Sequence, residues 1–135
     1  MSGEKDLVQL IRTMQPILAD EEYVFTLHQD RPWEAIEGLK PKAMFNEKEG
    51  VTLILLKQVA DQQGIPYQGV FKCITLTVHS SLEAVGLTAA ISTALTTEGI
   101  SANVIAGYFH DHIFVPNHHA EQAALCLSNL AQNYK

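Results

Sequence analysis

The stretch that decides the fold runs from Ile74 to Pro116 and reads ITLTVHSSLEAVGLTAAISTALTTEGISANVIAGYFHDHIFVP. Its first residues alternate between apolar and polar, which predicts a strand with one buried face. Residues 84–99 then place apolar side chains three and four positions apart, the spacing of an amphipathic helix, and Gly99 suits the end of that helix. The segments ANVIAGYF and HIFVP are rich in β-branched and aromatic residues, so they predict two more strands.

The same order of elements is predicted in both halves of the chain. After Pro116, the residues NHHAEQAALCLSNLAQN predict a helix, which completes a β-α-β-β-α unit. The first half has a leading amphipathic helix, Lys5–Met14, and then a strand, a short helix, a hairpin and a helix. Two such units predict an α+β protein with two ferredoxin-like (βαββαβ) units, in which antiparallel sheets carry helices on one face.

The second predicted unit lacks the last strand of a βαββαβ fold. The final helix reaches the last residues of the chain, so the second unit must borrow a strand or leave an edge open. Proteins cover open sheet edges, because an unpaired row of backbone groups invites uncontrolled association. We therefore expect pairing with the other unit or with another chain, and a homo-oligomer formed through sheet edges.

Charge and composition exclude several classes of partner. The 135 residues carry a formal net charge of −6 with nine Lys and Arg, so we expect neither nucleic acid nor a membrane as partner. The charged N-terminal residues MSGEKDLVQLIRTMQ are not typical of a signal peptide. Cys73 and Cys126 lie outside any CxxC motif and have apolar neighbours, which favours small buried hydrophobes in a reducing compartment. These features predict a cytoplasmic protein.

The chain resembles the ACT-domain family in the residues that carry its pattern. The similarity to the ACT pattern lies in the order of four features. A strand is followed by a short loop with Gly86, then by a helix that reaches Glu98, and then by Gly99–Ile100, which open the next strand. The first half is similar in element order and in EGVTLILLKQVADQQGIPY. The whole chain resembles small bacterial proteins with two ACT-like units, which implies an N-terminal unit over residues 1–69 with a leading helix and a C-terminal ACT domain over residues 70–135.

This resemblance implies a regulatory or sensor protein without catalytic activity, which binds a small molecule, with an amino acid as the expected ligand. The loop HSSLEAVG joins a strand end to a helix start, where free N–H groups and the helix dipole favour a carboxylate. Glu83 could meet an ammonium group, and the alternative is a capping box of Ser80 and Glu83. The candidate ligand-binding residues are His79, Ser80, Ser81, Leu82, Glu83, Ala84, Val85, Gly86, Asn103, Val104 and Ile105.

The motif FHDH supports several alternatives. A hairpin turn is the first, a pH-sensitive edge of a ligand site the second, and a metal site the third, because His110 and His112 share a face if the backbone is extended. Two other functions stay open: a metal-dependent or acid–base enzyme that uses His79, His110 and His112, and an interaction module without a ligand. We expect no cofactor, no metal and no catalytic residue.

Overall fold

The computed structural model describes residues 3–135 and contains the predicted order of elements. The unit β-α-β-β-α occurs twice, as predicted, behind a leading helix. The bounds are α1 Leu7–Thr13, β1 Pro16–His28, α2 Trp33–Gly38, β2 Ala43–Glu47, β3 Gly50–Leu56, α3 Lys57–Gln63, β4 Phe71–Leu76, α4 Leu87–Thr97, β5 Asn103–Ala106, β6 Asp111–Pro116 and α5 Ala120–Asn133.

The six strands follow the hydrogen-bonded order β2-β3-β1-β4-β6-β5. Strand β3 pairs antiparallel with both β1 and β2, and β5 pairs antiparallel with β6. In the last pair, Ala106 lies opposite Asp111 and Ile105 lies opposite His112. The fold is therefore α+β with antiparallel strand pairs, as the pattern predicted.

The chain forms two compact units. One consists of the residues up to Asp20 together with Lys72–Lys135, and the other consists of Glu21–Phe71. In the first unit, fully buried Leu10, Ile11 and Met14 share one hydrophobic core with residues of β4, α4, β6 and α5. The sequence repeat divides the chain at residues 69 and 70, and that boundary stays a prediction, whereas packing joins residues 3–20 to the C-terminal elements.

This packing provides the strand that the second unit lacked in the sequence analysis. Strand β1 begins at Pro16, and its residues up to Asp20 belong to the unit that contains β4. Just ahead of β1, the carbonyl oxygen of Met14 accepts a hydrogen bond of 2.8 Å from the Thr77 N–H, which follows β4. The edge beside β4 is therefore covered from within the chain.

The unit Glu21–Phe71 has a smaller core of its own. Val24, Leu53 and Leu55 are fully buried there, and they pack with Ile36 of α2 and Ala60 of α3. Its helix α3 ends at Gly64, whose φ of 65° is the left-handed conformation expected after a helix. No helix within residues 3–135 combines the length and the apolar character needed to cross a bilayer.

Candidate functional site

The loop between β4 and α4 is attached to the segment that precedes α1. The Glu4 N–H donates to the carbonyl oxygen of His79 at 2.8 Å, and the Ser81 N–H donates to that of Glu4 at 3.0 Å. Gly3 comes so close that a Cβ there would lie 2.6 Å from the carbonyl carbon of Ser80. The loop is therefore held by backbone contacts about 75 residues away along the chain, and glycine is required at position 3 for that close approach.

Helix α4 begins later than the sequence predicted, at Leu87. Its N-cap is Gly86, whose φ of +102° lies in a region that favours glycine, and no side chain among the described residues caps the helix. The capping box of Ser80 and Glu83 is therefore wrong as an interpretation. Ser81 instead accepts a hydrogen bond from the Glu83 N–H through its hydroxyl oxygen, at 3.1 Å, which shapes a local turn.

Because α4 starts late, Ala84 precedes the helix, although the predicted helical stretch 84–99 began there. A Cβ at Gly86 would lie 3.0 Å from Leu7 Cδ2, and the positive φ would strain any β-branched residue. Gly86→Val is therefore expected to disturb the loop itself.

A buried acidic group lies beneath this loop. Asp111, at the start of β6, is only 8 % exposed, and the Ser80 hydroxyl donates to its Oδ2 at 3.0 Å. Ser80 is buried as well. Since a carboxylate accepts at both oxygens, Asp111 can hold Ser80 and still accept from a ligand.

Two cavities open beside the loop and share Ser80, Ser81 and Leu82 in their linings. The larger has a volume of about 340 Å³, and its other lining residues are Ala84, Val85, Gly86, Leu87, Thr88, Ala106 and Asp111. The smaller has a volume of about 140 Å³, and its other lining residues are Gly3, His79, Glu83 and Tyr108. The larger cavity thus brings the N-terminus of α4 and the buried Asp111 to the same space.

The predicted hairpin turn is present, but it lies earlier than FHDH. It spans residues 107–110, where the Gly107 N–H donates to the carbonyl oxygen of His110 at 2.9 Å. The tip consists of the aromatic residues Tyr108 and Phe109, both at least half exposed. Asp111 belongs to β6 and is buried, instead of lying in the turn.

The histidines of the enzyme and metal alternatives make separate contacts. His110 Nδ1 lies 3.1 Å from the carbonyl oxygen of Val78, and His112 Nδ1 lies 2.9 Å from the Thr75 hydroxyl. The ring of His79 packs on Phe109, with 4.8 Å between the ring centroids. Within residues 3–135, no group of three or more His, Cys, Asp or Glu is placed to hold a metal ion.

The Cys126 thiol is a poor nucleophile in this fold. Both cysteines are buried, and within the described residues neither forms a disulfide. Burial, and then the carboxylate of Glu98, raise the pKa of the Cys126 thiol to about 11. A thiol with that pKa stays protonated at neutral pH, and only the thiolate is reactive.

The structure brings together most of the predicted ligand-binding residues. His79, Ser80, Ser81, Leu82, Glu83, Ala84, Val85 and Gly86 each line one or both cavities. Asn103, Val104 and Ile105 lie on the edge strand β5, and neither lining includes them. Asn103 instead donates to the carbonyl oxygen of Phe114 at 3.2 Å. A ligand role for any of these residues stays a prediction.

The sequence analysis missed Asp111, Ala106 and Tyr108 as site residues. A signal for Asp111 was available, because it shares a strand face with Ile113 and Val115, which are fully buried. An acidic residue on the face of a strand that packs into a core needs a polar partner, and so marks a special position. The alternation of apolar residues after FHDH placed Asp111 on the buried face of the strand, but the sequence analysis put a hairpin turn at FHDH.

Comparisons with known proteins agree with this architecture. Family models described as ACT domain match residues 2–72 and residues 70–129. A search of curated proteins found no match.

Solved structures of similar proteins span nearly the whole chain. A Vibrio cholerae protein of unknown function, described as a possible transport protein, shares 48% identity at a TM-score of 0.85, with 95% of this chain and 98% of that chain covered. An Agrobacterium tumefaciens protein shares 18% identity at a TM-score of 0.68, with 86% and 87% covered.

A third similar structure is the regulatory subunit of aspartate kinase from Thermus thermophilus. It shares 12% identity at a TM-score of 0.64, with 85% of this chain and 95% of that chain covered, and at that identity the likeness shows the fold. The family models match both halves of the sequence, and ACT domains are regulatory modules that generally bind small molecules. This chain therefore belongs to the ACT-domain family.

Proposed function

We propose that this chain is a non-catalytic regulatory protein that binds a free amino acid in the larger cavity. The observation that carries the proposal is the meeting of an uncapped helix start and a buried carboxylate around one space of about 340 Å³. An amino acid carries a negative and a positive group two bonds apart on either side of its Cα. The helix start complements the negative carboxylate of the amino acid, and the buried carboxylate of the cavity complements its positive ammonium group.

The N-terminus of α4 is the proposed binding position for the ligand carboxylate. The first N–H groups of a helix have no partner within the helix, and here no described side chain caps them. Leu87 and Thr88 carry two of these N–H groups and line the cavity. The positive end of the helix dipole adds to the attraction for an anion.

Asp111 is the proposed partner of the ligand ammonium group. It lines the cavity and is buried, so an ion pair there is little screened by water. Glu83, which the sequence suggested for this task, is highly exposed and already pairs with Lys5 at 3.2 Å. The Ser80 hydroxyl holds the Asp111 carboxylate in one orientation, which lowers the cost of binding.

The size of the cavity favours a small ligand. Small-molecule sites occupy about 300–1,000 Å³, and this cavity lies at the lower end of that range. A dinucleotide or another large cofactor would exceed it. One ring nitrogen of each of His110 and His112, Nδ1, lies within hydrogen-bond distance of a structural partner, the Val78 carbonyl oxygen and the Thr75 hydroxyl.

Titration calorimetry against the free amino acids tests this function, with wild-type protein and the Asp111→Asn variant. We expect at least one amino acid to bind wild type, and we expect Asp111→Asn to weaken it at least tenfold because the amide lacks the negative charge that meets the ammonium group. Asp30→Asn makes the same chemical change at an exposed position of the other unit and should leave affinity unchanged. Binding that is equal in both variants would contradict the proposed site.

Two further proposals concern assembly and location. ACT domains often oligomerise, and we propose a homo-oligomer formed through exposed sheet edges, for which β2 and β5 are the terminal strands of the observed order. We also propose a cytoplasmic location. This proposal is supported by the two cysteines, which are buried and form no disulfide within the described residues.

A further inference from the structure

We propose that residues 3–5, here named the N-terminal strap, dock on the loop between β4 and α4 and couple its conformation to binding in the larger cavity. This inference rests on the proposed function, because it names a regulation of the same site. The strap is docked on the loop while an amino acid is bound, and it is released more often when the cavity is empty. The position of this segment therefore reports whether the cavity is occupied.

The strap adds a short parallel β-bridge to the loop. Glu4 lies opposite Ser80 in this bridge. Its N–H donates to the carbonyl oxygen of His79 at 2.8 Å, and its own carbonyl oxygen accepts from the Ser81 N–H at 3.0 Å. Gly3 lies over the same stretch, since a Cβ there would come within 2.6 Å of the Ser81 nitrogen. The strap therefore holds the loop backbone on both sides of Ser80.

Ser80 connects the strap to the acid of the proposed site. It is only 7% exposed, and its hydroxyl donates to Asp111 while Gly3 covers its peptide group. No described residue of the strap lines the larger cavity, so the strap does not block that space. It acts through the loop instead, because it keeps Ser80 in the position that orients the Asp111 carboxylate for the ligand ammonium group.

The strap is attached weakly enough to open while the rest of its unit stays folded. Besides the two backbone hydrogen bonds, Lys5 forms an ion pair with Glu83 at 3.2 Å, and exposed pairs of this kind contribute little to stability. The helix behind the strap has its own anchors, because Asp6 caps α1, and Leu10 and Ile11 are fully buried. Segments with few buried contacts open locally at a low free energy.

The shared loop makes the coupling reciprocal. If binding requires the docked loop, the measured affinity is reduced by the fraction of molecules in which the strap is open. The ligand must then shift the strap toward the docked state by the same factor. Hydrogen exchange of the Ser81 amide measures this state, because that amide donates to Glu4 of the strap.

Gly3→Ala tests the strap without any ligand. The added Cβ would collide with the loop backbone, so exchange of the Ser81 amide should accelerate at least tenfold. The amide of Ile91, within α4, should keep its wild-type rate, which shows that the unit stays folded. Gly38→Ala is the matched control, because a Cβ at Gly38 would meet open space, and it should change neither rate. If Gly3→Ala leaves Ser81 exchange unchanged, the inference is rejected whatever the amino acids do.

Lys5→Ala removes the ion pair and leaves the backbone contacts of the strap in place. It should accelerate Ser81 exchange severalfold at low salt and match wild type in about 1 M NaCl, because salt screens exposed charges. Lys57→Ala removes a lysine from an ion pair of the other unit, with Asp61 at 2.8 Å, and should leave Ser81 exchange unchanged. An equal acceleration in Lys57→Ala would attribute the effect to net charge and contradict the role of the strap.

An equimolar mixture of the twenty free amino acids tests the coupling. In wild-type protein the mixture should slow Ser81 exchange severalfold and shift the NMR resonance of the Thr88 amide, which lines the larger cavity. Gly3→Ala should raise the concentration that gives half of the Thr88 shift at least threefold, whereas Gly38→Ala should not change it. An unchanged half-concentration in Gly3→Ala, despite faster Ser81 exchange, would overturn the coupling.

This inference and the proposed function fail in different ways. If the mixture does not shift Thr88 in wild type but Gly3→Ala accelerates Ser81 exchange, the proposed function fails and control of the loop by the strap stands. If the mixture shifts Thr88 equally in wild type and Gly3→Ala, and does not slow Ser81 exchange, the site stands and the inference is overturned.

Discussion

The neighbours of His28 constrain its chemical state. The Arg31 Nε–H donates to His28 Nδ1 at 3.0 Å, so Nδ1 accepts and the proton of the neutral ring lies on Nε2. That Nε2 lies 2.8 Å from the Thr26 hydroxyl, which donates onward to the carbonyl oxygen of Leu53. Burial, and secondarily the positive charge of Arg31, lower the pKa of His28 below its usual 6.5.

This lowered pKa predicts that stability falls as the solution becomes acidic. The unfolded chain protonates His28 near pH 6.5, whereas the folded chain resists protonation, so the contribution is complete above that pH and is lost as the pH falls toward the folded pKa. Between pH 7.5 and 5.5, the urea midpoint of wild type should fall more than that of His28→Gln. His118→Gln, at an exposed histidine, should retain the wild-type slope, and equal slopes for wild type and His28→Gln would contradict the prediction.

At the scale of elements, α1 is an integral part of the unit that contains the candidate site. Ile11 is fully buried in the core that includes α4 and α5. Ile11→Ala should therefore destabilise the protein by about 2–5 kcal/mol, the usual cost of such a core truncation. Amide hydrogen exchange should accelerate in α4 and α5 of this variant before it does in β2 and β3, because partial unfolding follows the packed unit.

Val24→Ala provides the matched control for this prediction. Val24 is also fully buried, but in the core of the unit Glu21–Phe71. The Val24→Ala variant should accelerate amide hydrogen exchange in β3 and α3 first. A pattern of exchange that is the same for both variants would mean that the two cores unfold as one, contrary to the division into packed units.

At the scale of the whole molecule, the sheet ends in an edge strand that is poorly protected. Strand β2 is terminal in the observed order, and its Phe45 is 71% exposed with Met44 beside it also exposed. Since an exposed apolar edge favours pairing with another chain, we expect self-association at micromolar concentration. Phe45→Lys should shift light scattering toward the monomer, because a charged edge residue opposes strand pairing.

A control substitution tests whether the effect is specific to this edge. Leu125 is exposed to a similar extent, at 63%, but lies on helix α5. Leu125→Lys should leave the molar mass of the wild-type assembly unchanged. A wild-type protein that is strictly monomeric would show that the exposed β2 edge is tolerated without a partner.

Much of the fold could be predicted from local patterns. The alternation in β4, the helical spacing in α4 and the glycines that follow α3 and α4 each depend on residues within one or two turns of each other. The β-α-β-β-α order and the loop Ser80–Gly86 followed from such local signals. The start of α4 was missed because it depends on the φ of one residue, Gly86, which apolar spacing does not report.

What the sequence by itself determined is therefore the order and type of the elements, whereas tertiary structure decided which distant segments meet. Thr77 hydrogen-bonds to Met14 across 63 residues, and Ser80 to Asp111 across 31. No periodicity links such partners, because pairing is chosen by the burial of whole faces and not by spacing along the chain. For that reason no local pattern paired β1 with β4 or Ser80 with Asp111, although the alternation within β6 marked Asp111 as a buried position.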